Sequence, residues 1–177
     1  MVYAMRKTLV LFAVLLAMIC VGCNGSKPTT QPRLPRHAVE YLDAYGLKDC
    51  IASYEYKKDY RWNHPLLGYH SPDKCWIVAT NDSTVICFSK SGNWLYTVTK
   101  SRKEDLPTKY LTPINNIDRM LNYLRFNVGG DVRIVGVSKE KDHWIIAAYP
   151  THQSWMSEPR YYYFQDDGSY SGTKIIV

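Results

Sequence analysis

The stretch that decides the fold is Val85-Ile86-Cys87-Phe88-Ser89-Lys90-Ser91-Gly92-Asn93-Trp94, because a later stretch has the same plan, Tyr161-Tyr162-Tyr163-Phe164-Gln165-Asp166-Asp167-Gly168-Ser169-Tyr170. In both, an apolar run ends in Phe, a Gly follows four positions later, and an aromatic residue comes two positions after the Gly. A Gly at this place supplies the positive φ that tight hairpin turns need. The sequence therefore predicts two related β-hairpins.

Each hairpin is preceded by the same series of elements, a helix and then two strands. The first helical pattern stops at Gly46, and the second opens with Thr112 as N-cap and Pro113 at the first helical position. A strand led by Trp follows in each half, at Trp76 and at Trp144. The predicted fold class is therefore α+β, with two tandem repeats that each consist of one helix followed by a four-stranded antiparallel sheet (αβ4).

The N-terminus has the pattern of an export signal. Arg6 and Lys7 precede an uncharged apolar run over residues 8–21. At about 1.5 Å per residue this run reaches roughly 21 Å, short of the roughly 30 Å hydrocarbon core of a bilayer. The run ends in Cys20-Val21-Gly22-Cys23, which resembles the bacterial lipoprotein signal and implies lipidation of Cys23. Ordinary signal cleavage and an uncleaved anchor are the alternatives.

The chain divides into five predicted segments. Residues 24–34 contain Gly and Pro without an apolar period, which is typical of a flexible tether. The predicted segments are a signal peptide (1–22), the lipidated Cys23 with its tether (23–34), a first repeat (35–100), a linker (101–111) and a second repeat (112–177). Loss of Arg6 and Lys7 with the signal leaves 20 basic and 16 acidic residues, which are interspersed along the chain. A nucleic-acid partner is therefore not expected.

The aromatic composition points to a recognition surface. The chain has 15 Tyr against 4 Phe, and a Tyr hydroxyl must reach water or a partner, so half-buried aromatic surface is expected. If Phe88 and Phe164 face the helices, strand alternation turns Tyr161 and Tyr163 to the opposite face of the sheet. Burial of this face between the repeats, or Tyr pairing within the sheet, are the alternatives.

Two insertions relative to the shared plan add further aromatic residues. One lies between the first two strands of the first half, and the other lies before the last hairpin. Long insertions on a rigid scaffold are often functional, although a solvated loop is an equally weighted reading. The predicted partner-binding residues are Trp62, Tyr69, Trp155, Tyr161 and Tyr163.

No catalytic or metal site is predicted from the residues. The chain lacks the nucleophile-elbow, zincin, phosphate-loop and dinucleotide motifs. The cluster of His64, His70, Asp73 and Cys75 does not have the ligand spacing of a zinc site, and Asp166-Asp167-Gly168 lacks the alternating ligands of a calcium loop. We therefore expect no cofactor and no enzymatic activity.

Three cysteines besides Cys20 and Cys23 leave disulfide pairing open. A two-residue turn at Asn81-Asp82 would place Cys87 opposite Trp76, and a bridge from Cys75 to Cys87 would then fail on distance. Pairing of Cys50 with either of them is equally open. There is no Cys-x-x-Cys motif within this set, so a redox or catalytic role is not expected.

The chain resembles a tandem of PepSY-like domains found in exported proteins of Bacteroides-type bacteria. The resemblance rests on the helices, the Trp-led strands and the Phe-x-x-x-Gly-x-aromatic hairpins. The matching residues are Leu34-Pro35, Pro113, Phe88/Gly92/Trp94 and Phe164/Gly168/Tyr170. The resemblance covers about residues 35–177 and implies the fold of the β-lactamase inhibitor protein. It also implies a ligand-binding or inhibitory role without an active site.

The function expected from the sequence is that of a non-enzymatic, lipid-anchored protein of the cell envelope. Its partner would be an unknown protein or peptide, which it binds or inhibits through the aromatic sheet face and loops, and the N-terminal lipid would hold it on a membrane. We expect it to be exported, on the periplasmic side or at the cell surface. Binding of a carbohydrate or small ligand is the alternative function, and a purely structural envelope component is another.

Overall fold

The computed structural model describes residues 32–58, 74–101, 104–128, 132–150 and 159–175. Within these ranges eight strands form one antiparallel sheet whose order follows the sequence. The strands are β1 (Ile51–Lys57), β2 (Cys75–Thr80), β3 (Thr84–Ser89), β4 (Trp94–Thr99), β5 (Val132–Glu140), β6 (His143–Pro150), β7 (Arg160–Gln165) and β8 (Tyr170–Ile175). The helices are α1 (Arg36–Ala44) and α2 (Ile117–Asn127), with short 3₁₀ turns at Lys48–Cys50 and Thr108–Tyr110.

The predicted fold class of two αβ4 repeats is wrong, because the described residues are mainly β and their strands form a single sheet. The strands that would have closed two separate sheets pair with each other: β4 and β5 are joined through Tyr96 opposite Ser138, Thr97 opposite Val137 and Val98 opposite Gly136. An unpaired strand edge exposes its backbone N–H and C=O groups, and pairing β4 with β5 satisfies both edges at once. We refer below to β1–β4 and β5–β8 as the N-terminal and C-terminal halves of the sheet.

Both helices pack on the same face of the sheet, which we call the helix face. The buried side chains of each helix are four residues apart, Ala38 and Leu42 in α1 and Met120 and Leu124 in α2. They join one continuous core with residues of both halves of the sheet, including Trp76, Ile86, Phe88, Trp144, Ile146, Tyr162 and Phe164. The predicted strand phase is therefore confirmed, since both Phe residues face the helices and Tyr161 and Tyr163 do not.

The two predicted hairpin glycines set how closely the helices approach the sheet. Gly92 has φ +92°, and a Cβ at this position would lie 2.8 Å from the backbone nitrogen of Ala38 in α1. Gly168 has φ +81°, and its Cβ would lie 3.0 Å from the Cβ of Asn116 at the start of α2. Positive φ and close backbone approach both favour Gly, so each turn is specified twice over.

The second helix begins later than the sequence predicts. Its N-cap is Asn116, in the left-handed region with φ 58°, rather than Thr112. The hydroxyl of Thr112 donates to the carbonyl of Lys109, and the N–H of Ile114 donates to the carbonyl of Leu111. The local turn is favoured because it buries Ile114, which is 3% exposed, in the core together with Leu106, Tyr110 and Leu111.

Candidate functional site

The face of the sheet opposite the helices, which we call the second face, is apolar across its middle strands. It consists of two clusters of buried side chains. The first contains Cys75, Ile77, Val85, Cys87, Tyr96 and Val98, with Leu95 half-buried beside it. The second contains Val135, Ile145, Ala147, Tyr149 and Tyr161, with Tyr163 half-buried beside it. The eleven buried members of the two clusters come from six strands and are each 8% exposed or less, so Leu95 and Tyr163 are the members of these clusters that stay partly open.

Tyr161 and Tyr163 lie next to each other along β7 but differ in exposure. Tyr161 pairs with Ala147 and Lys174 and is only 2% exposed. Tyr163 pairs with Ile145 and Gly172 and keeps part of its ring open. Partial burial, with the nearby carboxylate of Glu140, raises the pKa of Tyr163, so the phenol is neutral at physiological pH. Of the two, Tyr163 is the side chain that a partner can reach.

The other predicted site residues cannot be placed by the structure. Trp62, Tyr69, Trp155 and the lipidation residue Cys23 lie outside the described residues. Whether the loop aromatics extend the second face therefore stays a prediction.

Charged residues border the second face on its outer strands. Glu55 and Lys57 of β1 stand opposite Ile77 and Cys75, and the ammonium of Lys57 lies 2.8 Å from the Glu55 carboxylate. On the other side, Lys174 of β8 stands opposite Tyr161. An apolar centre with a polar rim is the usual arrangement of a protein interface.

The structure also shows a groove that the sequence interpretation missed. It lies between α2 and the start of β8 and has a volume of about 490 Å³. Tyr123 and Tyr170 stack on its wall with their ring centroids 4.3 Å apart, and Phe126 is 78% exposed at its margin. The polar lining comes from Arg119, Asn122, Asn127 and Ser169.

A sequence signal for this groove was available. Tyr123 and Phe126 are three positions apart on α2, so they share a helix surface beside the buried stripe of Met120 and Leu124. The core of the chain does not need an aromatic pair beside its buried stripe. Such a pair therefore indicates a surface that contacts something else.

A polar cluster ties the β2–β3 turn to the segment before α2. The carboxylate of Asp82 accepts hydrogen bonds from Thr80 Oγ1 at 2.6 Å and from Tyr110 Oη at 2.9 Å, and Lys109 Nζ lies 2.7 Å from it. Partial burial would raise the pKa of Asp82, but these donors outweigh it and hold that pKa well below its usual range. The ammonium of Lys109 also donates to the Sγ of Cys50 at 3.3 Å. Each oxygen of the carboxylate already accepts a hydrogen bond, so this arrangement holds two segments together.

The acidic β7–β8 turn is occupied by the protein's own donors. Asp166 Oδ1 lies 2.7 Å from the ammonium of Lys139. Asp167 Oδ1 accepts from the N–H and the hydroxyl of Ser169, at 2.8 and 2.6 Å. Across the described ranges, no group of three or more His, Cys, Asp or Glu side chains converges on a possible metal site. Three of the four residues of the His64, His70, Asp73 and Cys75 cluster lie outside those ranges.

No helix in the part of the chain that the structure describes is long and apolar enough to cross a membrane. No family model matches the chain, and no curated protein matches it.

Several solved structures are similar to this chain. One is named as a candidate periplasmic protein of unknown function from Bacteroides vulgatus; it is 15% identical, with a TM-score of 0.51, over 81% of this chain and 93% of its own. A second, named as a candidate calcium-regulated periplasmic protein from Bacteroides thetaiotaomicron, is 14% identical, with a TM-score of 0.50, over 81% of this chain and 91% of its own. A third, from the DUF2874 family of B. vulgatus, has a TM-score of 0.48 at 14% identity and covers 86% of this chain and 99% of its own.

At this identity the likeness concerns the fold. The expected resemblance to Bacteroides periplasmic proteins is confirmed at that level, whereas the PepSY-like assignment stays a prediction. This chain has the fold of proteins that are themselves named as periplasmic and of unknown function.

Proposed function

We propose that this protein is exported, anchored to a membrane by a lipid on Cys23, and binds a protein or peptide partner through its second face without catalysing a reaction. Two features support export: the signal-like N-terminus and the periplasmic names of the structural neighbours. Lipidation rests on the Cys20-Val21-Gly22-Cys23 sequence. Replacing Cys23 with Ala should then release the protein into the soluble fraction, and its persistence in membranes would contradict a lipid anchor.

The observation that carries the binding proposal is the composition of the second face. The helices pack on the other side, yet this face is built from two apolar clusters with four tyrosines, of which Tyr96, Tyr149 and Tyr161 are buried and Tyr163 is half-buried. Large, semi-rigid aromatic side chains are enriched among the residues that dominate binding energy at protein interfaces.

Within this face, Tyr163 is the anchor that we expect a partner to contact. It is half-buried against the cluster that holds Tyr161, so its ring is fixed in place while part of it remains open. A ring that is already ordered loses little conformational entropy on binding. Tyr161 contributes by supporting this position, and Trp62, Tyr69 and Trp155 are the loop residues that would extend the contact.

The test is a pull-down from envelope extract with the full chain and Tyr163→Ala. We expect the wild-type protein to recover a partner that Tyr163→Ala recovers at least tenfold less well, consistent with loss of an interface anchor of about 1.4 kcal/mol or more. Tyr45→Ala is the matched control, because Tyr45 is 38% exposed at the end of α1 on the helix side. Equal recovery by all three proteins, with folding intact, would remove the second face from consideration.

Carbohydrate or small-ligand binding is the second candidate, and the groove between α2 and β8 favours it. Its volume of about 490 Å³ is within the usual range for a small-molecule site. Aromatic rings offer apolar faces to a sugar ring, while Asn122 and Arg119 supply hydrogen-bond donors. A glycan array at millimolar ligand tests this, with Tyr123→Ala expected to abolish any signal. Silence of the wild-type protein on the array would count against this candidate.

A further inference from the structure

Two buried thiols lie side by side on the second face, Cys75 at the start of β2 and Cys87 in β3. The register places Cys75 opposite Ser89 and Cys87 opposite Ile77. The two cysteines therefore share one face of neighbouring strands and stand in a diagonal relation, two positions apart. Diagonal neighbours are roughly 7–8 Å apart, with their Cβ atoms somewhat closer, and strand twist shortens one of the two diagonals.

This register differs from the sequence prediction, which placed Cys87 opposite Trp76. Three residues separate β2 from β3, not two, and Ser83 adopts a positive φ of 61° in the turn. Phe88 consequently stands opposite Trp76. The one-residue shift turns Cys87 to the same face as Cys75.

The surroundings of the pair are those of a closed apolar cluster. Both cysteines are 0% exposed, and both thiols are free in this structure. The neighbouring thiol of Cys87 lowers the pKa of Cys75, with help from Lys57 and against burial. The thiol of Cys75, together with burial, raises the pKa of Cys87, against the effect of the nearby Tyr96 hydroxyl. Both side chains belong to the same buried cluster of the second face.

We propose that Cys75 and Cys87 form an intrachain disulfide across the β2–β3 hairpin. The proposal rests on the export part of the proposed function, because disulfides persist in oxidising compartments such as the bacterial periplasm. It does not depend on which partner the protein binds.

The chemistry is thiol–disulfide exchange with a disulfide-bearing oxidant. A thiolate of one cysteine attacks the oxidant's disulfide, which forms a mixed disulfide and releases one oxidant thiolate. The second cysteine, as thiolate, attacks the mixed disulfide, which forms the Cys75–Cys87 bond and releases the other oxidant thiolate. The two cysteines lose two protons and two electrons, and the oxidant disulfide is reduced to a dithiol.

The buried position of the pair sets when the bond forms. Neither sulfur is exposed in the folded protein, so the exchange takes place while the β2–β3 hairpin assembles. Hairpins form within about 1–10 μs, whereas disulfide formation takes seconds to hours, so the exchange competes with burial of the two thiols as the rest of the sheet assembles.

Cys50 is too far from Cys75 to be its partner. Its carbonyl accepts from the N–H of Asn81, which places it at the turn end of β2, and its Sγ accepts from Lys109. Cys75 is at the other end of β2, and at about 3.3 Å per residue the two ends of this six-residue strand are roughly 17 Å apart. Cys50 therefore stays a free thiol when the proposed bond is formed.

Peptide mapping separates these possibilities because of where trypsin cuts. Lys74 and Lys90 bound a tryptic peptide, residues 75–90, that contains both cysteines of the pair, whereas Cys50 falls in the peptide of residues 49–57. The full chain is refolded in a buffer of oxidised and reduced glutathione, denatured, alkylated with iodoacetamide and digested without reduction.

We expect the 75–90 peptide to carry no alkyl group and to be lighter than its dithiol form by two hydrogen atoms, while the 49–57 peptide carries one alkyl group. Two alkyl groups on the 75–90 peptide would overturn the proposal, as would a cross-link between the two peptides. Because this readout involves no partner, its failure leaves the binding proposal untouched, and loss of binding leaves the disulfide untouched.

Two variants serve as controls. Cys75→Ser should make Cys87 fully alkylatable, and Cys50→Ser should leave the 75–90 peptide blocked. If Cys75→Ser does not fold, the wild-type map still decides. In addition, the oxidised wild-type protein should unfold at a higher urea concentration than the same protein reduced with dithiothreitol, and equal midpoints would count against a bond formed without distortion of the sheet.

Discussion

Each half of the sheet contains an aromatic triad, and the two triads share their geometry but not their surroundings. The N-terminal triad is Tyr41, Phe88 and Trp94, and the C-terminal triad is Tyr123, Phe164 and Tyr170. In both, the helix tyrosine meets the phenylalanine edge-on, with ring centroids 5.4 and 5.7 Å apart. The tyrosine also stacks on the strand aromatic in both, at 6.0 and 4.3 Å.

The two triads differ in whether another strand lies beside the strand that carries Trp94 or Tyr170. Trp94 is in β4, which β3 and β5 flank, and its ring lies 5.9 Å from that of Trp144 across the junction of the halves. Tyr170 is in β8, the last strand of the sheet among the described residues, and it lines the open groove with Phe126. The same local packing is thus core at the centre of the sheet and a candidate ligand surface at its edge.

The largest expected effect is loss of the phenylalanine from either triad. Phe88 and Phe164 are both 0% exposed, so Phe88→Ala and Phe164→Ala should each lower the free energy of unfolding by about 3–5 kcal/mol, through lost transfer energy and the cavity that is left. Urea unfolding measures this. Phe126→Ala, at a residue 78% exposed, is the control and should stay within about 0.5 kcal/mol. A cost below about 1 kcal/mol for Phe164→Ala would show that the C-terminal triad is not core.

The next effect tests the two hairpin glycines that let the helices reach the triads. Gly92→Ala and Gly168→Ala each place a Cβ at positive φ, which costs roughly 1–3 kcal/mol. Gly92→Ala should be the worse of the two, because its Cβ would lie 2.8 Å from backbone, whereas that of Gly168 meets no atom closer than 3.0 Å. Gly172→Ala has nothing within 4 Å of its Cβ and serves as the control. Equal stability of all three variants would contradict the close approach of both helices.

The third comparison concerns the carboxylates of the two halves and their response to acid. The pKa of Asp82 is depressed in the folded state, so its contribution is complete above the unfolded value of about 3.8 and is lost as the pH falls toward the folded pKa. We expect Asp82→Asn to lower the free energy of unfolding at pH 7 by about 1.5–3 kcal/mol, as for hydrogen bonds to a charged group. The difference between variant and wild type should shrink as the pH drops below about 4.

Asp167 is the control in the other half. Its pKa is also lowered, chiefly by the hydrogen bond from the Ser169 hydroxyl, but its side chain is 61% exposed and its ion pair with Arg119 is long, at 3.6 Å. Exposed pairs contribute little to stability, so Asp167→Asn should hardly change the unfolding midpoint at either pH. If Asp82→Asn and Asp167→Asn shifted the unfolding midpoint by the same amount at pH 7 and at pH 3, the expected stabilisation by the Asp82 carboxylate would be contradicted.

Local patterns predicted the elements of the fold well, because their causes lie within a few residues. Alternation placed Phe88 and Phe164 on the helix face, and Gly92 and Gly168 marked the turns. The pairing of β4 with β5 could not be read in this way. It depends on two strand edges that only meet in three dimensions, and a sequence of helix and four strands repeated twice is compatible with one sheet or two.

The candidate site was less predictable than the fold. Alternation indicated the face of Tyr161 and Tyr163 but not their exposure, which depends on what else packs there. The relation of Cys75 to Cys87 depended on one residue in the turn, since a single shift of register changes the face of every side chain that follows. The groove at Tyr170 required knowing that β8 is the end of the sheet.

The smallest expected effect separates the two strand aromatics of the triads. Tyr170→Trp enlarges a ring that is 38% exposed at the edge of the sheet, so the stability should change by less than about 0.5 kcal/mol. Trp94→Tyr removes the indole that contacts Trp144 and donates to Thr97 Oγ1 at 2.9 Å, so it should cost about 1–2 kcal/mol. Urea midpoints of the two variants, measured side by side, check this. If Tyr170→Trp lowered the free energy of unfolding as much as Trp94→Tyr, the edge position would be packed like the centre. The groove beside Tyr170 would then not be an open surface.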